Sequence, residues 1–280
     1  MEHERAIPAL PPDYRPNLSD FALFLSVMKN RRAYECALGI ILNEPELRLA
    51  EVKTEQVILN RSGKRAIRLD AWAAAKDGRQ FNMEMQNESK TDDLPRRARF
   101  YQGLMDTPVL KSGRGTKYRQ LPSTVIIFIT QEDIFGRDLA QYSFEEQCGE
   151  VSGLRLDDGT AKLFLNMASR NGRAELVGLL QYMKETTLEN PDIPAKDERL
   201  IELDAIVREV KESEEWEAIR MNLVEYGMEK GMEIGRQEGE EYGRREGEKI
   251  GHRRGVLQTL FSLVKSGILE PALAARQAGL

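Results

Sequence analysis

The chain is 280 residues long, 41% hydrophobic and 31% charged, with a net charge of −5, which gives room for one substantial folded domain and an appendage. Its only histidines, His3 and His252, lie in an N-terminal tail and a charged repeat, so a His-based triad, a His-rich zinc site and a His general base are disfavoured; Cys36 and Cys148 sit in no metal or redox spacing and are expected to be reduced thiols of a cytoplasmic protein. No apolar run approaches the about 20 residues that cross a bilayer, and the first ten residues lack the basic and apolar regions of a secretory signal, so no membrane association is expected.

In chain order, residues 1–16 are Pro-rich and read as irregular. Ser19 or Asp20 caps a predicted helix over Phe21–Met28, and a second runs over Arg31–Leu42 with Leu38, Ile41 and Leu42 on one stripe. Asn43-Glu44-Pro45 stops it. Two apolar-alternating runs follow, around Val57–Leu59 and over Ala66–Ala75, then a turn at Lys76-Asp77-Gly78 and a third run at Gln80–Gln86. Asp92 or Asp93 caps a helix with Pro95 in its first turn, which continues through Arg97 and Tyr101 to about Asp106. Ser123–Thr130 is apolar and β-branched without alternation, the pattern of a strand covered on both faces. Leu154–Asn166 reads as a hairpin around Asp157-Asp158-Gly159, and beyond Arg173 the pattern is helical. This order of elements predicts an α/β or α+β layer with a mixed sheet.

The stretch Ile67–Gln86 carries the most information. Alternation puts Ile67, Leu69, Ala71 and Ala73 on one face of the first strand and Arg68, Asp70 and Trp72 on the other. In the second strand Phe81, Met83 and Met85 oppose Asn82, Glu84 and Gln86. A two-residue turn would set carboxylates against apolar side chains. A three-residue Lys76-Asp77-Gly78 loop, with Gly78 at positive φ, instead pairs Asp70 with Glu84 and Arg68 with Gln86. Paired Cβ atoms stand about 5 Å apart, so two carboxylates share one polar face. They are hard oxygen ligands suited to Mg²⁺, with Mn²⁺ able to substitute, and such an ion acidifies water and neutralises charge on a phosphodiester. Arg96, Arg97 and Arg99 on the next helix, with Arg68 on the strand, suit phosphates. Residues 61–120 hold 14 Lys/Arg against 7 Asp/Glu, whereas residues 201–250 hold 8 against 15, so the acidic global charge conceals a basic core.

Arg68-Leu69-Asp70, Asn82-Met83-Glu84-Met85-Gln86, the helix Leu94–Gln102 with Arg97-x-x-x-Tyr101, and the later strand Val125–Ile129 together resemble the PD-(D/E)XK nuclease superfamily. More narrowly, they are similar to the transposase-associated Rpn family of recombination-promoting nucleases; the resemblance spans roughly residues 18–150. It implies a restriction-endonuclease-like mixed sheet flanked by helices and a metal-dependent DNA endonuclease, a phosphodiester hydrolase linked to recombination or mobile DNA. It makes Asp70 and Glu84 metal ligands and Gln86 the residue that orients the attacking water, where the superfamily most often has lysine. It also makes Glu35 a candidate for the remaining metal shell, and Tyr101 and Gln102 candidates for the active-site wall. The rival reading is a non-catalytic DNA-binding or oligomeric assembly protein that kept the fold.

Glycine recurs every fourth residue from Gly227 to Gly255, among Glu, Arg, Lys and Met. Each glycine costs a helix about 1 kcal/mol relative to alanine. The repeat is therefore either a charged tether or a helix compensated by close packing against a partner, and the second reading points to self-association. The expected organisation is an irregular tail at 1–16, a nuclease core at 17–170, a helical extension at 171–226, the glycine repeat at 227–255 and C-terminal helices at 256–280.

Overall fold

The structure is a computed structural model that describes residues 15–58, 66–87, 93–109, 117–223, 244, 248, 255–268 and 270–279. Chain contacts divide it into two units, Arg15–Ile219 and a second made of Met1–Tyr14 with Arg220–Leu280. In the second unit residues 255–265 are helical, and Pro271–Ala278 forms a short helix ended by Gly279 at φ 73°. Of the glycine repeat only Arg244, Glu248 and Gly255 are among the described residues.

The first unit is built on a mixed six-stranded sheet. Its strands are β1 (Leu49–Ile58), β2 (Ile67–Ala75), β3 (Gln80–Gln86), β4 (Thr124–Thr130), β5 (Gln141–Phe144) and β6 (Thr160–Asn166), in the spatial order β1-β2-β3-β4-β6-β5. The β1–β2–β3 meander and the β5–β6 pair are antiparallel, whereas β3–β4 and β4–β6 are parallel. A parallel neighbour requires a crossover, and the one between β3 and β4 contains α3 (Leu94–Asp106). On the opposite face lie α1 (Phe21–Met28), α2 (Arg31–Leu42), α4 (Ala174–Lys184) and α5 (Glu198–Glu212). This α/β layering is that of a restriction-endonuclease-like fold.

Caps fix the two helices that matter for the site. The Asn30 side chain accepts from the Arg32 and Ala33 amides to open α2, and Asn43 in the left-handed region (φ 58°) closes it. Asp93, one of the two expected caps, accepts from the Arg96 amide to open α3. Apolar side chains of α1, α2, α4 and α5, among them Phe24, Leu38, Leu179 and Leu203, pack with Ala71, Ala73, Phe81, Met83, Ile127 and Ile129. A second cluster under α3 joins Trp72, Leu94, Ala98, Tyr101, Ile126, Phe128 and Phe164. Strand β4 supplies alternate residues to both, which is why its sequence shows no alternation.

Three expectations need correction. Strand β1 begins at Leu49, well before Val57; as an edge strand with Glu51, Lys53 and Glu55 half-exposed or exposed, it has little apolar pattern to read. The partner of β6 is β5 and not residues 154–159; of these Arg155 bridges Gln147 instead, and Asp157 (φ 53°) and Gly159 (φ 81°) turn the chain into β6 at positive φ. Finally, Ile67 and Leu69 belong to the cluster under α3 with Trp72, not to the face of Ala71 and Ala73. The alternation reverses at Asp70. Ladder pairs Thr54↔Ala71 and Gln56↔Leu69 flank the level of Glu55 and Asp70, and Glu55 adopts φ 53°, a left-handed conformation that costs a non-glycine residue about 1 kcal/mol.

Candidate active site

The hairpin places the two acids. Ala75 and Arg79 close a three-residue loop with Gly78 at φ 94°, and pairs run from Ala74↔Gln80 to Ala71↔Met83. One step further the ladder gives way to side chains. The Asp70 amide donates to Glu84 Oε1 at 2.9 Å, and the Met85 amide donates to Asp70 Oδ2 at 3.2 Å. Each carboxylate thus takes a backbone amide of the neighbouring strand, a reciprocal arrangement that holds the two acids side by side where β2 and β3 part. Both are buried, Asp70 at 1% exposure and Glu84 at 0%.

Polar neighbours complete the setting of Glu84. Asn82 Nδ2 donates to its Oε1 at 3.0 Å, and Arg97 Nη2 donates to its Oε2 at 2.8 Å. The Arg97 guanidinium also donates through Nη1 to Gln86 Oε1 at 3.0 Å, and through Nε and Nη2 to the Tyr101 hydroxyl at 3.0 and 2.7 Å. It stands 5.0 Å from the Tyr101 ring centroid and 5.5 Å from that of Phe128. From the α2 side, the buried Tyr34 hydroxyl donates to the Ala71 carbonyl at 2.6 Å, clamping β2 beside Asp70. Burial pushes the Glu84 carboxyl above the usual carboxylate range, the charge of Asp70 adds to this, and Arg97 opposes it. Burial also pushes the Tyr101 hydroxyl up, to about 12, so it is a neutral donor and acceptor at neutral pH.

Two adjacent buried carboxylates are the donors a hard divalent cation takes. Among the described residues no group of three or more His, Cys, Asp or Glu forms a ligand cluster. A pair nevertheless fits Mg²⁺, which is commonly bound through one or two carboxylates, waters and substrate phosphate oxygens.

The other candidates are dispersed. Gln86, at the end of β3, meets Arg97. Glu35 takes other partners: its Oε1 accepts from the Leu49 amide at 2.8 Å and its Oε2 lies 3.4 Å from Arg32, which ties α2 to the start of β1. Arg97 turns inward, whereas Arg96 is exposed and paired with Asp93 at 3.0 Å, Arg99 is exposed, and Arg68 is half-exposed beside Glu55 at 3.6 Å. Tyr101 borders the acids through Arg97. Gln102 is buried on the Leu94–Ala98 stripe of α3, with no hydrogen bond to either amide atom. Asn82 and Tyr34 were not singled out by sequence. Asn82 had a signal, since it lies two residues before Glu84 on the same strand face, but Tyr34 had none.

A mixed sheet that gathers acids from two adjacent strands, with a β3–α3–β4 crossover beside them, defines the restriction-endonuclease class of nuclease fold. The chain belongs to the PD-(D/E)XK nuclease family transposases: the model of that family matches residues 24–176, from α1 to the start of α4 and across every strand. No match was found among curated proteins or among solved structures. The family is one of nucleases that generally use divalent metal ions, with DNA as the substrate class it suggests. No helix among the described residues is long and apolar enough to cross a membrane.

Proposed function

We propose that this chain is a metal-dependent DNA endonuclease acting in recombination or on mobile DNA, with Asp70 and Glu84 as the metal ligands. The observation that carries this reading is the reciprocal placement of two buried carboxylates at the point where the β2–β3 ladder ends. Burying like charges side by side is costly for stability, and a divalent cation offsets that cost. Mg²⁺ is the expected ion, with Mn²⁺ as substitute. Bound there, it supplies Lewis-acid charge against the negative charge developing on the phosphodiester and acidifies a water.

The protein's own share is positional. Gln86 orients the attacking water by hydrogen bonding, and attack on phosphorus breaks one P–O bond and leaves a phosphate and a hydroxyl end. The backbone amides of Asp70 and Met85, with Asn82, hold the two carboxylates in fixed rotamers, so little reorganisation is needed as charge develops. Arg68, Arg96 and Arg99, exposed on β2 and α3, would meet backbone phosphates and position the strand without reading its sequence. We also propose that the chain self-associates through its C-terminal repeat, which would bring two single-strand-cutting sites onto one duplex.

A second reading, a DNA-binding or assembly protein without turnover, draws on the Arg97–Glu84 ion pair, which already neutralises one of the two acids. Nicking of supercoiled plasmid by the purified full chain, with and without Mg²⁺ and beside Asp70→Ala, separates them. Nicking that needs both Mg²⁺ and Asp70 is expected. Plasmid binding without nicking, in either Mg²⁺ or Mn²⁺, would establish the second reading.

A further inference from the structure

The reaction proposed above asks three things of the groups beside the two carboxylates: a donor to hold the attacking water, positive charge near the phosphoryl oxygens, and a fixed geometry. Gln86 has an amide that donates but carries no charge. The structure places a charge directly behind it, because Arg97 Nη1 donates to Gln86 Oε1 at 3.0 Å while Nη2 of the same guanidinium reaches Glu84 Oε2 at 2.8 Å.

That contact settles which way the amide points. Guanidinium only donates, so the amide atom facing it must be the oxygen. The end of Gln86 turned away from Arg97 is therefore the NH₂ group, a donor, made more acidic by the cation on its carbonyl. Arg97 is itself held in place, since the Tyr101 hydroxyl takes two of its N–H groups and the Tyr101 and Phe128 rings flank it. Its side chain is only 15% exposed. A solvated phosphate clamp would face outward; this guanidinium does not.

We infer, resting on the nuclease reading, that Arg97 is a positioning residue and that Gln86 and Arg97 act as one cationic donor: Gln86 gives the hydrogen bond to the attacking water, and Arg97 gives the charge and sets the amide's orientation. The unit is split between two elements, the end of β3 and the first turns of α3. The Arg97/Tyr101 spacing of four residues matters because it lets the tyrosine hold the guanidinium on the sheet side of the helix.

The test uses the full chain in single-turnover plasmid nicking at saturating Mn²⁺, with circular dichroism melts on every variant. Arg97→Gln should slow nicking by about 100-fold, the usual scale for losing one preorganised electrostatic contact. Adding Gln86→Lys to Arg97→Gln places donor and charge on a single side chain and should recover most of that loss, whereas Gln86→Lys alone sets two cations together and should be slower than the double variant. Gln86→Glu still accepts from Arg97 but offers no donor, so it should melt like the wild type and nick far more slowly. Mn²⁺ affinity, measured by calorimetry, gives a readout separate from turnover: removing a cation beside Glu84 should tighten binding in Arg97→Gln even as nicking slows. Should Arg97→Gln not fold, Arg97→Lys replaces it; it keeps the charge but loses the two-pronged contact, so it should be slowed less than Gln86→Glu. A double variant no faster than its Arg97 parent, a Gln86→Glu variant at wild-type rate, or weaker Mn²⁺ binding in the Arg97 variant each overturns the inference. A wild-type protein that does not nick, or that nicks as well with Asp70→Asn, defeats the nuclease reading instead.

Discussion

Asp70 and Glu84 are chemically alike but differently embedded, and the difference makes them separable by mutation. Asp70 accepts the Met85 amide through Oδ2, a bond that asparagine retains through its own carbonyl oxygen. Glu84 balances a guanidinium that is itself mostly buried, and glutamine leaves that cation without its countercharge. Asp70→Asn should therefore abolish cleavage with little change in melting temperature. Glu84→Gln should abolish cleavage and also lose about 3 kcal/mol of stability, the scale for breaking a buried ion pair on one side. Urea melts beside the nicking assay check this, and equal stability in the two variants would mean that Arg97 finds another partner. At this scale the sequence was half legible. The face-to-face acids followed from alternation and from a turn that needs a residue at positive φ, which Gly78 supplies. Two features had no local signature: the reversal of alternation at Asp70, where a carboxylate replaces a ladder bond, and the inward turn of Arg97. An arginine on an exposed helix and one under it are written the same way.

At the scale of elements, legibility followed burial. Helices α1, α2 and α3 were readable because apolar stripes are local properties, as is the Asp93 cap of α3, although Asp20, expected to cap α1, makes no side-chain cap bond there; β4 was readable because both its faces are covered. The edge strand β1 was caught only at its end, since Glu51, Lys53 and Glu55 on that edge break its apolar pattern, and β5 was missed because four uncharged residues are too few to show a period. The hairpin turn is anchored by one residue that a local reading passes over. Arg79 binds Glu44, just past α2, at 2.6 and 2.9 Å, and Asp77 at 2.8 Å. Hydrogen bonding to Arg79 lowers the Glu44 carboxyl; at Asp77 partial burial pushes upward but is outweighed by bonds from the Arg79 backbone and side chain. A carboxyl lowered in the folded state stabilises above its unfolded pKa, and this contribution fades as pH falls through the folded value. The window is thus below about pH 4, the ordinary carboxylate range. Arg79→Gln should shallow the fall of the urea midpoint with acidification in that window and leave its pH dependence near neutrality unchanged. An identical acid limb in both proteins would show that solvent screening cancels the network.

For the whole molecule, charge is segregated along the chain: the segment holding the candidate site is basic, and residues 201–250 carry seven more acids than bases. The basic segment was visible only once the global sum was broken up, because the acidic region masks it. The acidic region also contains most of a glycine register with a strict four-residue period from Gly227 to Gly255. A four-residue step exceeds the 3.6 residues of a helical turn, so in a helix the glycines would trace a slow spiral, the arrangement that lets another backbone approach closely along its length. A lone helix with eight glycines would lose several kcal/mol of propensity, on the order of 1 kcal/mol each, with nothing to offset it. The proposed self-association would supply the offset and would answer a need of the proposed chemistry, since one site cuts one strand at a time. Deleting residues 227–280 should therefore lower the mass seen by light scattering while leaving Mn²⁺ affinity intact, and should convert double-strand breaks in plasmid into nicks. A monomer mass for the intact chain at tens of micromolar would reduce the repeat to a tether.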